Sequence, residues 1–355
     1  MLSSLNPRVR DWRGRRVWIV GASSGIGAAV ARELFSRGAR VALSARREEP
    51  LRELAGPAAQ IGSALILPMD VTRPGSVRDA LQTIVDRWQG IDVVLWVAGT
   101  YRPMRAYDFD LADAHRIVQT NLGGVVNGLA SIMPVLIGQR SGAIGIVSSV
   151  AGFNGLPMSL VYGPTKAALI NLAQSLYFDL HPLGIGVHLI NPGFVETPLT
   201  ELNEFPMPAI VSAQTAANRI LTGFARGEFE THFPRRFTGT MKLLQLLPYR
   251  LYFAVVKRIT DSEVARGAPP AFAPGAPIRV PEIAPPANAS PAATAPSGSA
   301  AGDSAAEAVA TAKAAAEPAA GADAEAAAPP AAAKSANSRS GPRRPRSRKK
   351  PAAVP

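Results

Sequence analysis

Short, almost wholly apolar runs recur through the first 260 residues, and segments of helical length fill the intervals between them. The runs lie at 17–20, 41–44, 64–68, 93–97, 142–148 and 186–190, with helical patterns over stretches such as 25–37, 77–88 and 165–180. A strand that is apolar on both faces has to be covered on both faces. Strands alternating with helices therefore point to a parallel sheet with a helical layer on each side. In the first helix Ile26, Val30 and Leu34 recur at helical spacing, and Gly38 marks its end. Such sheets bind ligands beyond the carboxyl ends of their strands. Four chemically distinctive loops fall there: a glycine-rich turn after the first run, Ala98-Gly99 after the fourth, Ser149 after the fifth and Asn191-Pro192-Gly193 after the sixth.

Composition removes several alternatives. The chain has no Cys, which excludes disulfides and thiolate metal sites, and its four His form no ligand-like pair. The first 16 residues carry Arg and Asp without an apolar core, and no run of 18 apolar residues occurs. Neither a signal peptide nor a spanning helix is expected, and a cytoplasmic location is the default. Eleven Lys/Arg against seven Asp/Glu after residue 261 leave +8 of the net +12 to the residues before it.

The turn after the first strand consists of Gly21, Ser23, Ser24, Gly25, Ile26 and Gly27 around Ala22. Glycines let backbone approach a pyrophosphate, whose charge suits a helix N-terminus. The spacing is G-x3-G-x-G. At the end of the second strand, where an acid would hold a ribose 2′-hydroxyl, stands Ala45-Arg46-Arg47. A guanidinium there grips a 2′-phosphate, so NADP(H) is the expected cofactor, with Arg46 as its discriminator. Asp70 and Val71 follow the third strand, where an adenine ring would rest. Asp70 has two open roles, accepting from the adenine amine or capping the next helix.

The constellation Gly21…Gly25-Ile26-Gly27, Ala98-Gly99, Asn121, Ser149, Tyr162-x3-Lys166 and Pro192-Gly193 resembles the short-chain dehydrogenase/reductase family in order and spacing. The resemblance is strong over 12–200 and weak over 200–260. It implies a Rossmann-type, doubly wound parallel sheet in a single domain. It also implies a set of roles. Tyr162 would be general acid in reduction and base in oxidation. Lys166, one helical turn away, would stabilise the phenolate and hold the nicotinamide ribose. Ser149 would orient the carbonyl oxygen, with Ser148 the less favoured candidate because Ser149 has the thirteen-residue spacing to Tyr162. Asn121 would keep a water in place for proton relay. Val195 and Thr197, after Pro192-Gly193, would contact the nicotinamide carboxamide. One departure is Trp96-Val97-Ala98-Gly99, where the family usually has two Asn before Ala-Gly; this puts local hydrogen bonding there in question.

We divide the chain into an N-terminal extension over 1–12, a catalytic domain over 13–262 and a disordered Ala/Pro-rich basic tail over 263–355. Within the domain, 197–225 is expected as a substrate lid, and Leu199, Leu202, Phe205 and Met207 suit a small apolar carbonyl or alcohol substrate. The segment 240–260 is apolar with basic punctuation and broken by Pro248; it suits peripheral contact with an anionic membrane or a subunit interface. A homo-oligomer, dimer or tetramer, is the assembly the resemblance implies. The basic run 343–350 lacks interleaved aromatics, so nucleic-acid binding by the tail is a minor reading. Against the oxidoreductase stands one alternative, a redox-inactive NADP-binding scaffold that uses its basic tail for a partner or nucleic acid.

Overall fold

The computed structural model describes residues 4–203 and 207–264, with side chains through 260. All of them belong to one compact unit, Met1–Ala276. The expected tail beyond residue 264, and Phe205 of the expected lid, lie outside the described residues.

Seven strands form one parallel sheet: β1 Arg16–Val20, β2 Arg40–Ala45, β3 Ala64–Pro68, β4 Val93–Trp96, β5 Gly142–Val147, β6 Ile185–Pro192 and β7 Glu230–Phe233. Their spatial order is β3-β2-β1-β4-β5-β6-β7, so the order reverses between β1 and β4. Helices are α1 Gly25–Ser36, α2 Glu49–Ala55, α3 Pro57–Gln60, α4 Pro74–Trp88, α5 Leu111–Val118, α6 Gly124–Gln139, α7 Tyr162–Leu180, α8 Ala213–Arg226, α9 Arg235–Leu244 and α10 Tyr249–Val264. This is the Rossmann-type, doubly wound arrangement expected from the sequence.

The strand period of two sends alternate residues into separate cores. Val17 and Ile19 of β1 enter a core shared with Ala29, Val30 and Leu34 of α1 and Ile220 of α8. Trp18 and Val20 enter the opposite core with Ile84 of α4, Ile132 of α6 and Leu169 of α7. Each such side chain contributes about 1.5–3 kcal/mol on burial, which is why the strands are apolar throughout. The helical run Leu111–Gln139 is long and apolar enough to span a bilayer by length and composition. Its Val125, Ile132 and Leu136 are core residues of the sheet's second face.

Three features differ from the sequence reading. The strand β7 was not anticipated: its Glu-Thr-His-Phe alternates partly buried with buried residues and lacks the apolar signature of its neighbours. It pairs with β6 from Leu189↔Glu230 to Pro192↔Phe233. The stretch before β1 is a structural part of the domain. Asn6 is buried; its Nδ2 donates to Val187 O (2.6 Å) and Glu228 O (3.2 Å), and its Oδ1 accepts from Val187 N (3.0 Å). Trp12 meets Phe224 edge to face at 5.8 Å. Within the stretch 197–225 expected as a lid, α8 is a layer helix with Ala216, Ala217, Ile220 and Leu221 in the core.

Candidate active site

The glycine turn closes tightly against the exit of β4. Gly21 has φ +98°, and a Cβ there would lie 2.5 Å from Ala98 N. At Gly27 a Cβ would sit 2.1 Å from Gly21 O. Gly21 N and Ala22 N both donate to Ser44 O, at 2.8 and 3.0 Å. Ser24, at the N-cap of the twelve-residue α1, contributes no side-chain cap, so the first-turn N–H groups keep their capacity for an anion.

On the other side of the switch point, β5 delivers Ser148 and Ser149 to the start of α7. Ser148 Oγ donates to Lys166 O at 2.7 Å, so this hydroxyl is spent on bracing the helix. Ser149 Oγ accepts from Ala151 N at 3.1 Å and hydrogen-bonds the Tyr162 side chain. Lys166 is buried, and its Nζ donates to Val147 O at 3.0 Å and lies 5.5 Å from the Tyr162 ring centroid. Asn121 stands in a π-helical turn, Gln119–Gly123, between α5 and α6. Its Oδ1 accepts from Thr100 N (2.7 Å); its Nδ2 donates to Thr100 O (3.0 Å) and Thr165 Oγ1 (3.2 Å). Thr165 Oγ1 in turn donates to Tyr162 O at 2.7 Å. One fully buried amide thus joins the loop after β4 to the first turn of α7.

Burial pushes the Tyr162 phenol up to about 12, against a downward pull from the Ser149 hydrogen bond. Burial pulls the Lys166 ammonium down to about 8. Desolvation opposes the charged form in both groups, so their two values move apart in opposite directions. Tyr101 meets Tyr162 edge to face at 4.9 Å, and burial raises its phenol to about 12 as well.

These residues surround one cleft of about 850 Å³ along the carboxyl edge of the sheet. Gly21, Ser23, Ser24, Gly25 and Ile26 line one end, with Arg46, Asp70 and Val71 beside them. Ala98, Gly99, Ser149, Tyr162, Lys166, Pro192, Gly193, Val195 and Thr197 line the remainder. Two expected residues are not on the wall: Gly27 is buried behind the turn, and Asn121 acts through Thr100 and Thr165. Arg47 and Leu199 share the wall, as do Thr100, Arg116 and Thr200, which the sequence did not single out. Thr200 Oγ1 accepts from Thr197 N (3.1 Å) and donates to Val195 O (2.7 Å), bracing the loop after β6. A threonine three residues beyond Thr197 is a typical turn-bracing signal and was the clue available.

Asp70 does not cap α4, whose N-cap position is Arg73. Its Oδ1 accepts from Thr72 N and Oγ1, at 2.9 and 2.8 Å, shaping the turn ahead of the helix. Trp96, where an amide was missing, is packed by rings. It meets Trp18 at 6.2 Å and 69°, and Gly128 on α6 leaves it space, since a Cβ there would come within 2.2 Å of the indole. Trp18 Nε1 donates to Ser44 Oγ at 2.9 Å, while Trp96 Nε1 is buried without a hydrogen-bond partner.

The short chain dehydrogenase family model matches residues 15–205. An uncharacterized oxidoreductase of Myxococcus xanthus is 31% identical over 246 residues, covering 69% of this chain and 97% of that protein. Another from Staphylococcus epidermidis is 34% identical over 204 residues, covering 57% and 87%. Among solved structures, a short chain dehydrogenase from Burkholderia cenocepacia in complex with NADP superposes with a TM-score of 0.62 at 22% identity, covering 70% of this chain and 99% of that one. A short-chain type dehydrogenase/reductase from Mycobacterium marinum gives 0.57 at 27% identity, covering 62% and 94%.

Proposed function

The chain belongs to the short-chain dehydrogenase/reductase family, whose members are NAD(P)-dependent oxidoreductases, and we propose on that premise that it interconverts a carbonyl and an alcohol on an apolar substrate with NADP(H). The observation that carries the reading is the convergence of Ser149, Tyr162 and Lys166 on the wall of one cleft whose far end holds Arg46. The cleft suits a dinucleotide: an uncapped helix N-terminus faces it for the pyrophosphate, and the turn is too close-packed for side chains at Gly21 and Gly27. When bound, the nicotinamide supplies or accepts the hydride.

The chain's own residues handle the proton. In reduction Tyr162 donates its phenolic proton to the substrate oxygen, and in oxidation it takes it back. A phenol held near 12 stays protonated at neutral pH, so the proton is in place for reduction while little phenolate is present to act as base in oxidation. The nearby Lys166 ammonium stabilises the phenolate by charge and reaches for the ribose hydroxyls. Ser149 holds the substrate oxygen against the phenol. Asn121 and Thr165 act as positioning residues, since their hydrogen bonds set the first turn of α7. Arg46, with Arg47 beside it and no carboxylate at the end of β2, favours a 2′-phosphate over a free hydroxyl.

The apolar substrate preference rests on Leu199 in the cleft wall and on Leu156, which packs with Val150, Phe153 and Met241. The test is NADPH and NADH oxidation against a panel of ketones and aldehydes running from short chains to long-chain ketolipids. The expected result is NADPH-dependent turnover that rises with substrate apolarity. Preference for NADH, or turnover confined to charged substrates, would overturn the finer reading.

A further inference from the structure

Past β7 the chain leaves the sheet in two helices, α9 and α10, that form an outer surface of unusual chemistry. Between Glu230 and Asp261 there is no acidic residue, while Arg235, Arg236, Lys242, Arg250, Lys257 and Arg258 are all basic. Among the described residues Lys242 pairs with Glu230 and Arg235 reaches Glu228 at 3.5 Å, while Arg236, Arg250, Lys257 and Arg258 form no ion pair. Large apolar side chains stand beside the others in water. Leu246 is 79% exposed, Tyr249 78%, Phe253 60% and Leu243 63%. Tyr249 and Phe253, one helical turn apart, stack at 5.7 Å and 15°.

The two helices are nevertheless anchored. Met241 packs with Val150 and Phe153, Gln245 Nε2 donates to Phe153 O at 2.8 Å, and Tyr252 Oη donates to Gly155 O at 2.7 Å. The exposed apolar residues are therefore held outward by a seated scaffold and do not belong to an unpacked end. The anchoring loop runs from Ser149 to Tyr162, so the surface adjoins the substrate side of the cleft.

We propose that this surface seats the protein on an anionic phospholipid membrane. Aromatic and leucine side chains enter the boundary between headgroups and acyl chains, while Arg250, Lys257 and Arg258 meet lipid phosphates. The absence of any acid over thirty residues is what commits the surface to an anionic partner, since a plain subunit interface has no need of one charge sign. The surface deepens the reading of an apolar substrate, because such a substrate concentrates in the bilayer beside the cleft mouth. Membrane seating itself does not depend on that reading.

The test is sedimentation of the full chain with vesicles of phosphatidylglycerol and phosphatidylcholine, against phosphatidylcholine alone, without cofactor or substrate. The wild type is expected to pellet with the anionic vesicles only and to be released by salt. Each basic residue near such a surface contributes about fivefold, so Arg250→Glu/Lys257→Glu/Arg258→Glu should weaken binding at least about tenfold. Leu246→Ser/Tyr249→Ser/Phe253→Ser should weaken it similarly, and these exposed substitutions leave soluble turnover intact. A third variant, with the basic residues of 343–350 changed to Gln, should keep binding. Failure of the wild type to pellet, or loss only in the tail variant, would overturn the proposal. So would a change of oligomeric state by light scattering in the serine variant with vesicle binding unchanged. Ketone turnover measured on the same preparations separates failure here from failure of the oxidoreductase reading.

Discussion

Ser148 Oγ and the carbonyl of Lys166 lie 2.7 Å apart in a buried hydrogen bond. It ties the end of β5 to the second turn of α7 and so sets where Ser149 stands relative to Tyr162. The two serines should separate on mutation. Ser149→Ala is expected to cut kcat about 100-fold with little change in Tm. Ser148→Ala should lower stability by about 1 kcal/mol and cost far less in kcat. Thermal melts and steady-state kinetics on the same preparations check both.

Tyr162→Phe removes the proton donor and keeps the ring that packs on Tyr101. Turnover should fall by about 10²–10⁴-fold or more, with NADPH affinity within a few-fold of wild type. Fluorescence titration with NADPH beside turnover measurements reads the two effects separately. Retained turnover would rule out the role assigned to Tyr162.

Arg46→Asp puts a carboxylate where a 2′-phosphate is proposed to sit. The ratio of kcat/KM for NADPH over NADH should drop by at least about tenfold, mostly through KM for NADPH. An unchanged ratio would move the discrimination to Arg47 or away from this strand end.

Lys166 is pulled down to about 8 by burial before any cofactor is bound. If its ammonium is favoured beside a bound anionic dinucleotide, the bound form holds its proton to higher pH than the free form. NADPH affinity is then flat below pH 8 and weakens as pH rises above it. Lys166→Met should bind more weakly at neutral pH and lose this slope. Titrations between pH 7 and 9.5 decide the matter.

His188 on β6 is buried against Phe224, ring centroids 4.0 Å apart, and neither ring nitrogen has a hydrogen-bond partner. Burial holds its pKa down at about 4, against an ordinary value of 6.5, with an opposing pull from the Glu228 backbone. The unfolded chain takes up a proton below 6.5 that the folded chain refuses. Stability from this residue is therefore full above pH 6.5 and lost as pH falls toward 4, about 3 kcal/mol in all. Urea unfolding should show wild type losing about 2 kcal/mol between pH 7 and 5 relative to His188→Phe.

The strand–helix alternation, the glycine turn and the Ser149/Tyr162/Lys166 spacing were legible in the chain because each depends on local periodicity or on a loop next to a strand end. β7 was not, since an edge strand needs no continuous apolar run and its Glu-Thr-His-Phe carries none. The residues before β1 read as an extension because Asn6 gains its value only from Val187 and Glu228, far away in sequence. Likewise the placement of α8 in the helical layer, within the stretch expected as a lid, follows from its packing beside α1.

The sequence by itself determined six of the seven strands, their carboxyl-edge loops and the identity of the groups placed there, because backbone periodicity and short motifs encode them. Only the tertiary structure decided how those groups are coupled. It spent Ser148 on the Lys166 carbonyl, put Tyr101 against Tyr162, filled a missing-amide site with edge-to-face indoles and joined Asn121 to α7 through Thr165. Each of these is a contact between residues distant in sequence or a loss of water around them, and hydrogen bonding and desolvation act on neighbours in space, which the sequence alone does not specify.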